Sequence, residues 1–380
     1  MDTLQRKLYQ LIIQRLNGQD IHSEGYRERI FELVRKGIGG FIVFGGERDS
    51  VKAFIAELQS LSEIPLFIAS DIERGVGQQF QGCTVFPCQM AVSAAVNKFN
   101  PEDVSIMRDA VKAVALEAIE VGINMLFIPV LDINSNPDNP IICTRAFADN
   151  PEDVSWFGAE YIKALEDSCL ISCAKHFPGH GDTSTDSHIA LPVITKSYDE
   201  LMMADIVPFV QAVRAGCRSI MIGHLSVPAI DSVPASFSGK ILRDLLRKEL
   251  GFEGLIITDA LNMSALAGFD NLPARCMNAG VDILLHPADP DLTVQQLEDG
   301  IRSKMIDEGI IYTAVERILK VKKGLRDIKR AEVDYIKNNH LSERITEMSV
   351  TLVKGEHGLL PVNFGDAHLI IAGEDKFYEP

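Results

Sequence analysis

Residues 175–188 read KHFPGHGDTSTDSH and hold three of the chain's nine histidines, two aspartates and a lysine. Three chemistries could use such a set. His176 and His180 are four apart, a spacing that puts two imidazoles on one face of a helix for a metal ion. Pro178 and Gly179 stand between them and remove the helix that this geometry needs. A rigid polar loop with its imidazoles bonded to backbone accounts for His180 and Asp182. It does not explain a carboxylate two residues before an imidazole, as in Asp186-Ser187-His188. The third chemistry is acid–base. A carboxylate that holds one ring nitrogen fixes the tautomer and strengthens the other nitrogen's hold on a proton, so the pair can protonate a leaving group near neutral pH. Asp186 and His188 are the candidate dyad, and no metal or other cofactor is called for.

The stretch GFEGLIITDALNM supplies a possible partner. Asp259 comes after a Leu-Ile-Ile run, where a carboxylate is costly without a purpose. It could cap a helix beginning at ALNMSALAG or it could be a reacting group, and residue types alone leave both open.

These residues must be positioned by something, and the chain alternates. Short apolar runs at residues 11–14, 40–44, 66–69, 125–130, 171–174, 219–222, 255–258 and 282–285 read as strands buried on both faces. Between them lie segments such as YRERIFELVRKG, DSVKAFIAELQSL and MMADIVPFVQAVRAG, whose apolar residues return every three or four positions as in half-buried helices. Eight strand–helix units in about 290 residues predict an α/β fold of the (β/α)8 TIM-barrel type in preference to an open doubly wound sheet. Active sites of such barrels gather where strands end. Here nearly every strand ends on an ionisable group: Asp71, Asp132, Lys175 with His176, His224, Asp259 and His286.

Composition narrows the partners. With 46% hydrophobic and 24% charged residues the chain can build a sizeable core. A formal net charge of −16 argues against nucleic acid, which needs a basic surface. No run approaches the ~18 apolar residues of a membrane span, and no cationic leader with an unbroken apolar run after it opens the sequence. The seven cysteines are odd in number and lack CxxC spacing, so reduced thiols and a cytoplasmic location are expected.

Taken together, KHFPGHGDTSTDSHIALP resembles the signature of the β-N-acetylglucosaminidase branch of glycoside hydrolase family 3, and GFEGLIITDAL resembles that family's nucleophile strand. The likeness continues in order through QLIIQRLNG, GIGGFIVFGG, DIERG, PVLDINSNPDNPIICTRAF and MIGHLSVPAIDSVPASFS. It implies that Asp259 attacks the anomeric carbon. It implies that His188, paired with Asp186, shuttles the proton with net retention, and that Asp71, Arg145, Lys175, His176 and His224 line the sugar site. The substrate so implied is a small glycan bearing terminal β-linked N-acetylglucosamine, such as a peptidoglycan or chitin fragment in cell-wall recycling. A phosphorylase using the same residues is the nearest alternative, because an imidazole admits an anionic acceptor more readily than a second carboxylate does. A sugar-binding barrel without activity is another, opposed by the presence of Asp259, Asp186 and His188. In β-glucosidase members the acid–base group comes from a second domain.

Two departures from the family pattern stand out. The early loop has Val76 where a glycine-glycine-arginine run would end, and Gln79 where a further arginine would fall. LSERITEMSVTLVKGEHGLLPV and then HLIIAG resemble the start of the family's second, α/β sandwich domain. The expected organisation is therefore a catalytic barrel over residues 1–330, with a linker helix and the incomplete start of a second domain over 331–380. A contact with that domain is expected among the partners.

Overall fold

The apolar runs become strands because both faces of each find cover. The computed structural model describes residues 3–184, 191–266, 268–328 and 332–351. Its strands are β1 (Ile12–Asn17), β2 (Gly40–Phe44), β3 (Phe67–Ser70), β4 (Met125–Leu126), β5 (Ile171–Phe177), β6 (Ser219–Ile222), β7 (Leu255–Thr258) and β8 (Leu284–Leu285). All neighbouring pairs are parallel and keep to chain order, with β8 returning to pair with β1 through Ile12↔Leu284 and Ile13↔Leu285. A bridge between Ile257 and Ile283 joins β7 to the approach of β8 and closes the ring. The expected (β/α)8 barrel is thus the fold.

The outer helices start where the sequence provides caps. The hexapeptide NPEDVS occurs at 100–105 and again at 150–155, and each copy opens a helix, Pro101–Val121 and Pro151–Asp167. Asn100 accepts from the Glu102 N–H at 3.0 Å and Asn150 from the Asp153 N–H at 2.9 Å. A proline in the first turn needs no amide partner, which suits both starts.

Two expectations change in detail. The run 125–130 does not form one regular strand: β4 ends at Leu126, and pairing resumes at a bridge from Val130 to Lys175. Pro129 lacks the N–H that a continuous ladder requires. Residues 202–216, which read as one helix, are two: Tyr198–Met203 and Val207–Arg214. Pro208 cannot donate to the Ala204 carbonyl, and between the helices the buried Asp205 bonds Lys196 at 2.8 Å.

At the N-terminal end of the barrel, the last barrel helix (Glu308–Lys322) sends Lys322 inward. Its ammonium is buried, donates to Gln10 Oε1 at 3.0 Å and to the Gly39 carbonyl at 2.6 Å, and lies 4.6 Å from the centre of the Phe67 ring. Burial among neutral partners pulls its pKa well below the usual lysine value. Beyond it, the helix Tyr335–Ser349 lies across the helices Gln89–Ala95 and Pro101–Val121. Ile345 is buried there, and Asn338 and Tyr335 donate to Glu117 and Glu120 at 2.7 and 2.8 Å. No described helix is long and apolar enough to cross a membrane.

Candidate active site

The C-terminal ends of β3, β4, β5 and β7 bring the polar residues together. Asp71 comes directly after β3, and the chain then turns at Gly75, whose φ of 79° suits glycine. Glu73 lies within that turn, beneath Asp71. Lys175, only 2% exposed, places Nζ 2.7 Å from Asp71 Oδ1 and 2.7 Å from Glu73 Oε1. Arg145, from the loop after β4, grips Glu73 with both arms of its guanidinium: Nε to Oε2 at 2.9 Å and Nη2 to Oε1 at 2.8 Å. Burial alone would raise the Glu73 pKa, but the charges of Arg145 and Lys175 outweigh it and hold the carboxyl far below the usual range. Burial would likewise strip Lys175 of its proton, and the carboxylates of Asp71 and Glu73 prevent that. Glu73, Lys175 and Arg145 are therefore charged.

A second cluster stands beside the first. Asp132 is fully buried. Its carboxylate accepts from His176 Nδ1 at 2.7 Å and from the His180 backbone N–H at 2.6 Å. The His176 ring thus offers its Nε2 to the site. His180 is 2% exposed and meets the His176 ring edge to face, centroids 5.9 Å apart. Its Nδ1 lies 2.8 Å from Thr183 Oγ1, and Asn139 donates to its carbonyl at 2.8 Å. A side chain at Gly181 would overlap the Ile133 carbonyl, so the loop can lie this close only with glycine there.

Asp259 leaves β7 with its N–H on the Ile222 carbonyl at 2.9 Å, and its Oδ1 accepts the next N–H, that of Ala260, at 2.7 Å. The chain then forms a single short turn at Ser264–Leu266, not an α-helix, so Asp259 is no helix cap. It makes no ion pair with any described residue. Burial raises its pKa, but the neighbouring His176 and His224, the Ala260 N–H and Lys175 bring it below the ordinary aspartate value. The carboxylate is ionised, makes no ion pair with a described residue and is held through Oδ1.

His224 is wholly buried, with Nδ1 3.0 Å from Ser236 Oγ and Nε2 3.2 Å from the Ala260 carbonyl. A carbonyl only accepts, so Nε2 carries the proton and both nitrogens are taken by the protein. The residue braces the chain just after Asp259 and turns no free polar atom toward a ligand. His286 directly follows β8, with its Nε2 3.5 Å from Asn262 Nδ2. Burial and the charge of Arg15 push its pKa down to about 4.

Asp71, Arg145, Lys175, His176 and Asp259 are thus brought to one mouth, and Asp186 and His188 lie outside the described residues. Reading the sequence missed Glu73, Asn139 and Thr183. Glu73 had a signal, a second carboxylate two residues after a strand-end aspartate. Gln79 joins Asp71 to β2, donating to the Asp71 carbonyl at 3.0 Å and accepting from the Gly45 N–H at 3.3 Å. No group of three or more His, Cys, Asp or Glu among the described residues is arranged to hold a metal ion.

Comparison with known proteins meets this geometry. The model of the glycosyl hydrolase family 3 N-terminal domain matches residues 3–321. β-Hexosaminidase A of Pseudoalteromonas piscicida is 33% identical over 91% of this chain, and the chain spans 65% of that relative's length. Among solved structures, a family 3 β-N-acetylglucosaminidase from Paenibacillus sp. str. FPU-7 superposes with a TM-score of 0.85 at 32% identity, covering 94% of this chain and 70% of its own. A β-glucoside phosphorylase superposes with a TM-score of 0.83 at 25% identity, over 95% of this chain and 67% of its own. The chain belongs to glycosyl hydrolase family 3.

Proposed function

We propose that this protein is a retaining exo-β-N-acetylglucosaminidase acting on small glycans such as peptidoglycan or chitin fragments. The observation that carries the reading is Asp259: an ionised carboxylate at a barrel mouth, in no ion pair with any described residue, with Oδ1 held by the Ala260 N–H and Oδ2 left to react. Lys175, Arg145, Asp71 and His176 supply donors and acceptors for the hydroxyls of a terminal sugar. His224 stands behind the nucleophile as part of the pocket wall.

In the first step Asp259 Oδ2 bonds to the anomeric carbon as the bond to the leaving oxygen breaks. His188, its ring held by Asp186, gives that oxygen its proton. In the second step His188 takes a proton from water, whose oxygen displaces Asp259 and leaves the β-configuration restored. The donor is an imidazole instead of the usual second carboxylate, so the incoming group need not be neutral. That and the likeness to a β-glucoside phosphorylase favour a second reading, phosphorolysis by the same residues.

We assign residues 1–330 to the catalytic barrel, and residues 331–380 to a linker helix and the opening of a second α/β unit. The docked helix Tyr335–Ser349 supports the first part of that division. The odd number of cysteines and their lack of CxxC spacing favour a reducing, cytoplasmic setting, with cell-wall fragments as the natural substrates. The experiment is release of nitrophenol from nitrophenyl N-acetyl-β-glucosaminide in phosphate-free buffer and again with phosphate. Equal turnover in both supports the hydrolase, and a strong rise with phosphate supports the phosphorylase. No turnover in either moves the reading to a sugar-binding barrel.

A further inference from the structure

Arg15, on β1, has no part in the proposed chemistry, yet the strand register puts it on the wall that carries that chemistry. Paired residues of parallel strands project from the same face of a sheet, and successive residues alternate between faces. Arg15 pairs with Ile42 on β2, and Ile42 pairs with Ala69 on β3. In the other direction Ile13 pairs with Leu285 on β8, and Ile283 bridges to Ile257 on β7. Arg15 therefore shares a face with Ala69 and Ile257, which stand two residues before Asp71 and Asp259. That face is the inside of the ring, because Lys175 crosses from β5 to Asp71 within it. Ile13, one step deeper on β1, is buried, whereas Arg15 is exposed.

The guanidinium is held in place without being neutralised. Its Nε donates to Asn17 Oδ1 at 2.6 Å, and its Cζ lies 4.8 Å from the centre of the Phe44 ring. The two Nη groups meet no acceptor among the described residues. Asn17 in turn donates to Asp20 at 3.0 Å, but neither Asp20 nor any other described carboxylate pairs with Arg15. The chain has 53 acidic and 37 basic side chains, so a guanidinium left without a carboxylate at the mouth is free to take an anion from outside. Its side of the mouth indicates which part of a substrate would bring one. Asp71, Arg145, Lys175 and His176, which hold the terminal sugar in the proposed reaction, come from the ends of β3, β4 and β5. Asp259, which meets the anomeric carbon, comes from β7. A group hanging from that carbon leaves away from the sugar-holding residues, toward β8 and β1. Arg15 stands there, two strands or about 10 Å from β7, within the length of a second sugar ring.

We propose that Arg15 receives a carboxylate carried by the leaving part of the substrate, so that acidic glycans are preferred to neutral ones. This rests on the reading of Asp259 as the nucleophile of a glycosidase. It favours peptidoglycan fragments, in which the sugar next to N-acetylglucosamine bears a lactyl carboxylate, over chitin fragments, which bear none. With Nε already engaged, the Nη groups present two donors to one carboxylate, and such charge-assisted bonds are the strong ones.

The test is kcat/KM of the full chain on the disaccharide of N-acetylglucosamine β-linked to N-acetylmuramic acid, and on its methyl ester, which lacks the charge. Wild type is expected to prefer the acid by about 10-fold or more, with the preference shrinking as salt is raised. Arg15→Gln is expected to lose about 10-fold on the acid and under about 3-fold on the ester. Arg15→Lys keeps the charge without the fork and is expected to retain part of the preference. Equal rates of wild type on acid and ester, or a preference that survives Arg15→Gln, overturn the proposal. If phosphate speeds turnover of the ester and Arg15→Gln removes that effect, the anion is an acceptor phosphate and the carboxylate is overturned. If wild type turns over neither disaccharide, calorimetric binding separates the two failures. Tighter binding of the acid that Arg15→Gln abolishes keeps the anion site and removes the glycosidase reading. Equal binding of acid and ester, or none, overturns the anion site.

Discussion

Lys175 on β5 spans the barrel mouth to Asp71 at the end of β3, 2.7 Å from ammonium to carboxylate, with almost none of its own surface in water. A buried cation between two carboxylates is stable only as a set. Removing it leaves Asp71 without its cation and Glu73 with Arg145 alone. Lys175→Met is expected to destabilise the fold by about 3–5 kcal/mol and to lower kcat/KM by at least about 100-fold. Urea unfolding and steady-state kinetics measure the two. A stability loss under about 1 kcal/mol would show that the mouth tolerates the unpaired charge.

Asp259→Asn keeps the shape of the side chain and its bond with Ala260, and removes the nucleophile. Turnover is expected below about 1% of wild type, with the thermal midpoint within a few degrees. Higher residual activity sinks the assignment of this carboxylate.

His188→Ala separates leaving groups. Aryl glycosides with acidic phenols depart without a proton and are expected to lose little in the first step. Disaccharides need the proton and are expected to lose about 100-fold or more. Equal losses across a series of phenols of graded acidity give His188 another task.

Glu73 links the site to acid stability. Its pKa is depressed from the ordinary 4.5, so the folded state binds this proton more weakly than the unfolded chain does. Its stabilisation is then complete above pH 4.5 and is lost as pH falls through the depressed folded value. Glu73→Gln should be clearly less stable than wild type at pH 7, with the gap narrowing steadily below about pH 4.5. Melting curves across that range check the sign. A gap that widens on acidification contradicts it.

The barrel was legible because its strands are buried on both faces and therefore apolar without interruption, as in GFIVF and LIIT. Asp259 was legible for the same reason, since a charge directly after such a run is conspicuous. The contacts around β5 were not, although Lys175 and His176 were both expected at the site. Lys175 and His176 are adjacent, and a regular strand sends adjacent side chains to opposite faces. Here both join the site, one reaching Asp71 and the other Asp132. The register between β5 and β6 shifts between Ala174 and Phe177, an irregularity that re-aims side chains and leaves no mark in residue types. Glu73 was hidden differently. Its importance depends on Arg145, 72 residues away, and no spacing rule reaches that far.

The Lys322 contacts carry a consequence for how the chain is made. A ribosome delivers β1 and the Gly39 carbonyl early, and Lys322 comes 283 residues after Gly39. Until β8 emerges β1 has an open edge on the side that β8 will take, and until Lys322 follows the Gln10 amide oxygen and the Gly39 carbonyl lack the ammonium that joins them. Partial chains therefore cannot reach a closed ring by adding one β/α unit at a time. Ring closure is a late event in synthesis, and a nascent chain halted before β8 exposes an unpaired edge to chaperones and to other chains.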